Sequence, residues 1–337
     1  MKLVTFNTSE NVARIGVLLN DIVVDILSAA QTSQSSFTND YGDMIALMAA
    51  GPAALDEVRR LADWAPANSE EAILKLESVQ LLAPVPQPTQ MRDFLCFEKH
   101  LRQARECRYQ ILADQTDDPA TTMASYREKG LIDPPPVWYE QPIYYCGNRL
   151  CVIGTGEDVI WPSFAEKMDY ELEFGVYVGK SGQDISNKDA AAHIYGYTIF
   201  NDISARDTQI YEMTGQLGPG KGKDFDTANV MGPCLVTADE IKDPYNLLMT
   251  ARVNGVEYSR GNSGEMHHNF EDIIEYISRS TTIHVGEFFG SGTVGSGCGL
   301  EYNRFLEPGD LMELEIDQIG MLSNRIVKNS TSKAQSN

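Results

Sequence analysis

Residues 168–178 read Met168-Asp169-Tyr170-Glu171-Leu172-Glu173-Phe174-Gly175-Val176-Tyr177-Val178. Aromatic and β-branched residues dominate the run, which predicts a strand, and side chains alternate across a strand. Tyr170, Leu172 and Phe174 then face one way, while Glu171 and Glu173 face the other, roughly 7 Å apart. Two like charges so placed repel unless a cation lies between them or water solvates both. Taken alone, the stretch is equally a half-buried strand with a wet acidic face. The carboxylates elsewhere in the chain decide between the two.

At 337 residues the chain is long enough for a sizeable core in one large domain or two. Hydrophobic residues make up 42% and charged residues 22%, as in ordinary globular proteins. No uninterrupted apolar run approaches the roughly 20 residues that span a bilayer. The opening Met1-Lys2-Leu3-Val4-Thr5-Phe6-Asn7-Thr8 meets polar residues too early for a signal peptide. A cytoplasmic protein without membrane partners is the expectation. A formal charge of −21 opposes binding to nucleic acid, whose phosphates need a basic face, and is compatible with divalent cations. Cys96, Cys107, Cys146, Cys151, Cys234 and Cys298 form no Cys-x-x-Cys pair, so they are expected as reduced thiols that fill space.

Residues 1–27 alternate as a small β unit, and helical spacing follows at 43–64 and 69–76. Pro84-Val85-Pro86-Gln87-Pro88 then removes successive backbone donors and stops regular structure. This divides the chain into a small N-terminal α+β domain at 1–84, a catalytic domain at 85–325 and a polar tail at 326–337. Within 85–325, strands are expected at 93–96, 149–153, 158–161, 170–178, 194–201, 234–237, 246–253 and 311–316. Helices are expected at 99–112 and 269–280, and 101–140 reads as a surface excursion or lid. Asp202 ends an apolar strand, where side chains face either a turn or a cleft. Asp93 precedes His100 by seven residues, just after the prolines. Oxygen ligands from several separate carboxylates suit a hard cation such as Mg²⁺, Mn²⁺ or Ca²⁺.

The ordered set Asp93…His100, Glu171-Leu172-Glu173 and Asn201-Asp202-Ile203-Ser204-Ala205-Arg206-Asp207-Thr208-Gln209 resembles the fumarylacetoacetate hydrolase family. Lys223-Asp224-Phe225-Asp226-Thr227 and Gly292-Thr293 extend the resemblance across roughly 85–318. It implies an α+β, β-rich fold, a fumarylacetoacetase-like mixed β-roll of packed sheets with peripheral helices, and a homodimer. It also implies that Asp93, Glu171, Glu173 and Asp202 ligate one divalent cation per subunit, with Lys223 and Thr227 bordering it. Tyr145, Arg206, Gln209 and Thr293 would contact the substrate.

A cation held by carboxylates can chelate a 2-oxo acid or 1,3-dicarbonyl and stabilise the developing enolate. His100, with an ordinary pKa near ~6.5, is typed to activate water, and Lys223 and Gln209 to stabilise an oxyanion. The residue three after His100 is Gln103, where many family members resembled here carry a glutamate. Glu301, beyond Gly292-Thr293, is the candidate to orient the histidine, with Glu98 and Glu106 as substitutes. Leu95 stands where fumarylacetoacetase, in the family resembled, has a substrate-contacting tyrosine, so the resemblance leaves the acyl chain of the substrate open. Arg102, Arg105 and Arg108 could meet a substrate carboxylate, but on a solvated helix they read as surface residues. The function expected is hydrolysis of a carbon–carbon bond in a diketo or acylpyruvate-type acid. The alternative is a decarboxylase or tautomerase of a 2-keto acid on the same site.

Overall fold

Leu172–Val178 is a strand, and all seven of its residues are buried. In the computed structural model, which describes residues 1–8 and 11–328, it lies inside a mixed sheet of 12 strands. The path from one edge runs Ile73–Lys75, Ile22–Asp25, Ala13–Leu19, Lys2–Asn7, Asn229–Thr237, Ile194–Asp202, Leu172–Val178, Phe288–Gly290, Met91–Phe94 and Tyr144–Cys146. Gln80–Leu81 and Val152–Ile153 pair off this path. A second sheet orders Val256–Asn262, Leu248–Val253, Leu311–Ile316, Gly320–Lys328 and Val159–Trp161. The fold is mixed α+β and β-rich, with packed sheets and peripheral helices.

The alternation read from the sequence sorts the central strand onto two cores. Tyr170, Leu172, Phe174, Val176 and Val178 enter the core shared with the five-stranded sheet, together with Met249, Ala251, Met312 and Leu314. The amphipathic helix Phe270–Ser278 closes that core with Phe270, Ile273, Ile274 and Ile277. Its start is held by a reciprocal cap in which Asn269 accepts from Asp272 N and Asp272 accepts from Asn269 N, worth about 1 kcal/mol. Tyr177, on the glutamate side, packs into a second core with Phe200 and Phe288. The helices Ile26–Ser33, Met44–Ala50 and Pro52–Asn68 cover that face. Glu171 and Glu173 therefore do not lie on a wet face.

The strands of 1–84 join the same sheet as the later ones, because Lys2–Asn7 pairs antiparallel with Asn229–Thr237. Helical spacing at 43–64 resolves into two helices broken at Gly51, which has a φ of 80°. The helix expected at 69–76 is instead a short turn followed by the strand Ile73–Lys75, which pairs with Ile22–Asp25. Pairing to an existing sheet edge outweighed a helical propensity worth only tenths of a kcal/mol per residue. Gly320–Lys328 carries ordered strand past residue 325, and its last residues Ile326, Val327 and Lys328 pair with Val159–Trp161. The rest of the expected tail, 329–337, lies outside the described residues. No helix among the described residues is long and apolar enough to cross a membrane.

Gly175 shows how tightly the sheet is drawn around the central strand. A Cβ there would stand 2.3 Å from the Phe288 ring and 2.7 Å from Phe289 O. Gly175→Ala is expected to destabilise the protein by about 1–3 kcal/mol through overpacking. A thermal melt that matches wild type would remove the close approach as a constraint.

Candidate metal and catalytic site

Three strand ends and one neighbouring loop converge on a buried ring of carboxylates. Asp93 lies in Met91–Phe94, Glu173 in Leu172–Val178, and Asp202 ends Ile194–Asp202. One oxygen from each of these three falls within 4.8 Å of the others. Pairing explains the convergence, since Glu173 is opposite Phe200 and Asp93 is opposite both Gly290 and Tyr145. Close approach requires glycine at two places. A Cβ on Gly290 would stand 2.3 Å from Asp93 Oδ1, and one on Gly292, at φ 76°, would stand 2.2 Å from Phe94 O.

Glu171 sits beside this trio but is held by cations. Arg206 donates to its Oε1 at 2.7 Å, and Lys223 donates to its Oε2 and also to Asp202 Oδ2. Burial works to raise the Glu171 pKa, but Arg206 and Lys223 outweigh it and hold the carboxyl below the usual range. The other three shift upward. Burial, then the charge of Asp202, pushes Asp93 up to about 8. Burial and the surrounding carboxylates push Glu173 well above its ordinary value. Asp202 rises to about 6 through burial, less than its neighbours because Lys223 opposes the shift.

These residues fit a divalent cation. Glu173 Oε2 and Asp202 Oδ1 are buried with no hydrogen-bond partner, and an orphaned buried oxygen is costly unless something binds it. The donor set is all oxygen, which suits a hard ion. Tyr145 donates to Asp202 Oδ2 at 2.7 Å and Thr293 to Glu173 Oε1 at 3.1 Å, so both hydroxyls orient carboxylates of the ring. Gln209 Oε1 accepts from Arg206 at 2.8 Å, which leaves its amide nitrogen as the group free to donate.

His100 lies in the first turn of the helix Glu98–Ala113, and its Nδ1 lies 2.8 Å from Glu301 Oε1. The pair is separated by 201 residues in the chain and is buried. Glu301 belongs to the turn Gly299–Tyr302, and its Oε2 also accepts from Cys298 N at 3.3 Å. Glu98 instead binds Arg102 and Tyr139, and Glu106 binds Arg127, so neither meets His100. Gln103 bonds Ser296.

A cavity of about 520 Å³ joins the histidine to the carboxylate ring. Its walls include Leu95, Leu101, Val137, Ile143 and Ile210. Two expectations are corrected here. Thr227 lies away from the cavity lining and spends its hydroxyl as acceptor for Ile160 N at 2.9 Å. Arg105 and Arg108 line the cavity, whereas Arg102 pairs outward with Glu98 and Asp133. The helical period placed these arginines on one helix but did not tell which face would turn inward. Trp138, from the excursion, is buried over the cavity and donates to Leu95 O at 2.6 Å. Asp169 was passed over in the sequence. It is fully buried and bonds Arg206 Nε at 2.7 Å; its only signal was its place two residues before Glu171.

The family model for the fumarylacetoacetate (FAA) hydrolase C-terminal region matches residues 91–327. The chain belongs to the fumarylacetoacetate hydrolase family. It is 32% identical to the oxaloacetate tautomerase YisK of Bacillus subtilis (strain 168), over 93% of this chain and 95% of that protein. It is 35% identical to the human mitochondrial oxaloacetate tautomerase FAHD2A over 56% of this chain and 60% of that protein. The fold is also that of the fumarylacetoacetate hydrolase from psychrophilic Exiguobacterium antarcticum, at 22% identity. That alignment has a TM-score of 0.71 and covers 98% of this chain and 100% of the other.

The raised carboxyl pKa values make a signed prediction. Without metal, the folded protein holds the Asp93 proton from its ordinary value of 3.8 up to about 8, while the unfolded chain has released it. Stability from this group therefore falls as pH rises through that window. Glu171 acts in the opposite sense, but only below the ordinary glutamate value of 4.5. Metal binding displaces the protons, so its stabilisation grows as pH rises. In thermal melts, the increase in Tm on adding Mg²⁺ or Mn²⁺ should be larger near pH ~8 than near pH ~5; an equal increase would dissociate these carboxyls from the ion.

Proposed function

We propose that this chain is a divalent-cation-dependent enzyme that interconverts the keto and enol forms of a 2-oxo acid, with oxaloacetate as the favoured substrate. The observation that carries the reading is the buried His100–Glu301 pair opening into the same cavity as the carboxylate ring. The near-full-length likeness to an oxaloacetate tautomerase supports the choice of substrate.

Asp93, Glu173 and Asp202 would hold the cation, with Glu171 beside them. When bound, it would supply Lewis acidity that polarises the substrate carbonyl and acidifies the adjacent C–H. Glu301 accepts from His100 Nδ1–H, which leaves Nε2 as the basic atom. His100 Nε2 removes a proton from C3, the C–H electron pair becomes the C=C bond, and the carbonyl π pair moves to oxygen. Return of a proton to that oxygen yields the enol, and the reverse path restores the ketone. The Gln209 amide nitrogen would donate toward the developing negative charge, while the Lys223 ammonium, whose donors go to Glu171 Oε2, Asp202 Oδ2 and Asp202 O, would act on it through its charge.

A second reading, hydrolysis of a carbon–carbon bond in an acylpyruvate-type acid, is supported by the size of the cavity. A volume of about 520 Å³ is of the kind that takes drug-sized ligands, well beyond a four-carbon acid. His100 would then deprotonate water for attack on the distal carbonyl carbon, and the adduct would expel the enolate fragment.

With Mg²⁺ or Mn²⁺ present, the protein is expected to speed relaxation of the near-ultraviolet enol absorbance of oxaloacetate without loss of carbon. Acylpyruvates run in parallel, with products weighed by mass spectrometry, distinguish the readings. Hydrolysis adds one water to the summed products, and decarboxylation releases carbon dioxide. His100→Gln should retain its metal and lose ~10²–10⁴-fold in kcat. A His100→Gln enzyme with wild-type kcat would sink the general-base assignment.

A further inference from the structure

We propose that Asp169 is a positioning residue. Its carboxylate pins the turn carrying Glu301 to the Arg206 side of the carboxylate ring, and so fixes the tautomer and aim of His100. The inference rests on the proposed role of His100 as the base.

Asp169 is fully buried. Its Oδ1 accepts from Tyr170 N at 2.9 Å and Gly299 N at 2.8 Å. Its Oδ2 accepts from Leu300 N at 2.9 Å and Arg206 Nε at 2.7 Å. Every acceptor site of the carboxylate is thereby used, two donors to each oxygen. The fit leaves no slack, because a Cβ on Gly299 would lie 2.6 Å from Asp169 Oδ1.

The two sets of donors lead to different parts of the site. Gly299 and Leu300 begin the turn Gly299–Tyr302, whose third residue presents Glu301 Oε1 to His100. Arg206 reaches onward to Glu171 Oε1 and Gln209 Oε1. Asp169 therefore bonds both the backbone that places the base's partner and the guanidinium that neutralises Glu171. A displacement of the turn by a fraction of an ångström would separate Glu301 from Nδ1. The neutral ring could then move its proton to Nε2, the atom that must stay free.

The plain alternative is a buried ion pair with Arg206 that serves folding alone. Asparagine separates the two ideas because it keeps the shape. Whichever way its amide flips, the –NH₂ faces two N–H donors in place of an acceptor. Asp169→Asn should lower kcat on oxaloacetate by about 10–100-fold, the range for removing an outer partner of a site group, with KM within about 3-fold of wild type. Combined with Glu301→Gln, it should add less than about 3-fold to the loss of Glu301→Gln alone, since both act on one element; independent effects would multiply.

A readout without turnover guards the inference if the substrate reading fails. In ¹⁵N-histidine-labelled full-length protein with Mg²⁺, the His100 signal, assigned by its absence in His100→Gln, should report a neutral ring protonated at Nδ1. Asp169→Asn should shift it toward the Nε2-protonated form. Asp169→Glu keeps the charge beside Arg206 and so guards against misfolding; its extra methylene displaces the carboxylate from Gly299 and Leu300, and the same shift is expected. A wild-type His100 signal in either folded variant, or a multiplicative loss in the double variant, would overturn the role. Absence of wild-type turnover on every 2-oxo acid would count against the proposed function only, since the His100 signal would still decide the role of Asp169.

Discussion

Five buried carboxylates, Asp93, Asp169, Glu171, Glu173 and Asp202, share one region with two buried cations, Arg206 and Lys223. That surplus of negative charge is the condition to which the neighbouring structure answers. Ionised carboxylates taken out of water are costly unless paired. Part of the surplus is met by Arg206 between Asp169 and Glu171, and part by Lys223 between Glu171 and Asp202. The remainder falls on Asp93, Glu173 and Asp202, whose pKa values rise chiefly through burial and then through the charge of neighbouring carboxylates. A divalent ion would remove that conflict in one step, which is the physical reason to place it there.

Maintaining such a ring requires rigid support on every side. The strand face opposite Glu171 and Glu173 is anchored in the core between the sheets by Leu172, Phe174 and Val176. Gly290 and Gly292 let the neighbouring segment approach Asp93 and Phe94 at distances that a side chain would forbid. Three strands lie between those of Tyr145 and Asp202 along the sheet, and yet Tyr145 donates to Asp202, so the sheet curls around the site. The ring is thus over-determined by backbone pairing, as a preorganised site must be.

The cavity wall is built differently. Much of it comes from the helices Glu98–Ala113 and Pro136–Glu140, which belong almost wholly to the excursion outside the sheets. The same arrangement of carboxylates and histidine could serve keto–enol exchange, hydrolysis or decarboxylation, because all three need a stabilised enolate. What separates them is whether a C–H bond, an attacked carbonyl carbon or a carbon–carboxylate bond is brought to the reacting position, and that depends on how the wall seats the substrate. Arg105 and Arg108 turning inward gives this wall a positive end, which anionic substrates would meet.

Local pattern carried much of this protein in plain view. Alternation placed Glu171 and Glu173 on one face, apolar spacing marked the helix Phe270–Ser278, and ordered carboxylates marked a hard-cation site. These readings depend on periodicity and donor chemistry, which are properties of short segments. The tertiary structure alone decided that the acidic face is buried, that 73–75 is a strand, and that Thr227 turns away while Arg105 and Arg108 turn in. It also decided that Glu301, and neither Glu98 nor Glu106, meets His100. Contacts spanning 201 residues have no local signature, because they arise from sheet order and loop closure rather than from the residues beside them.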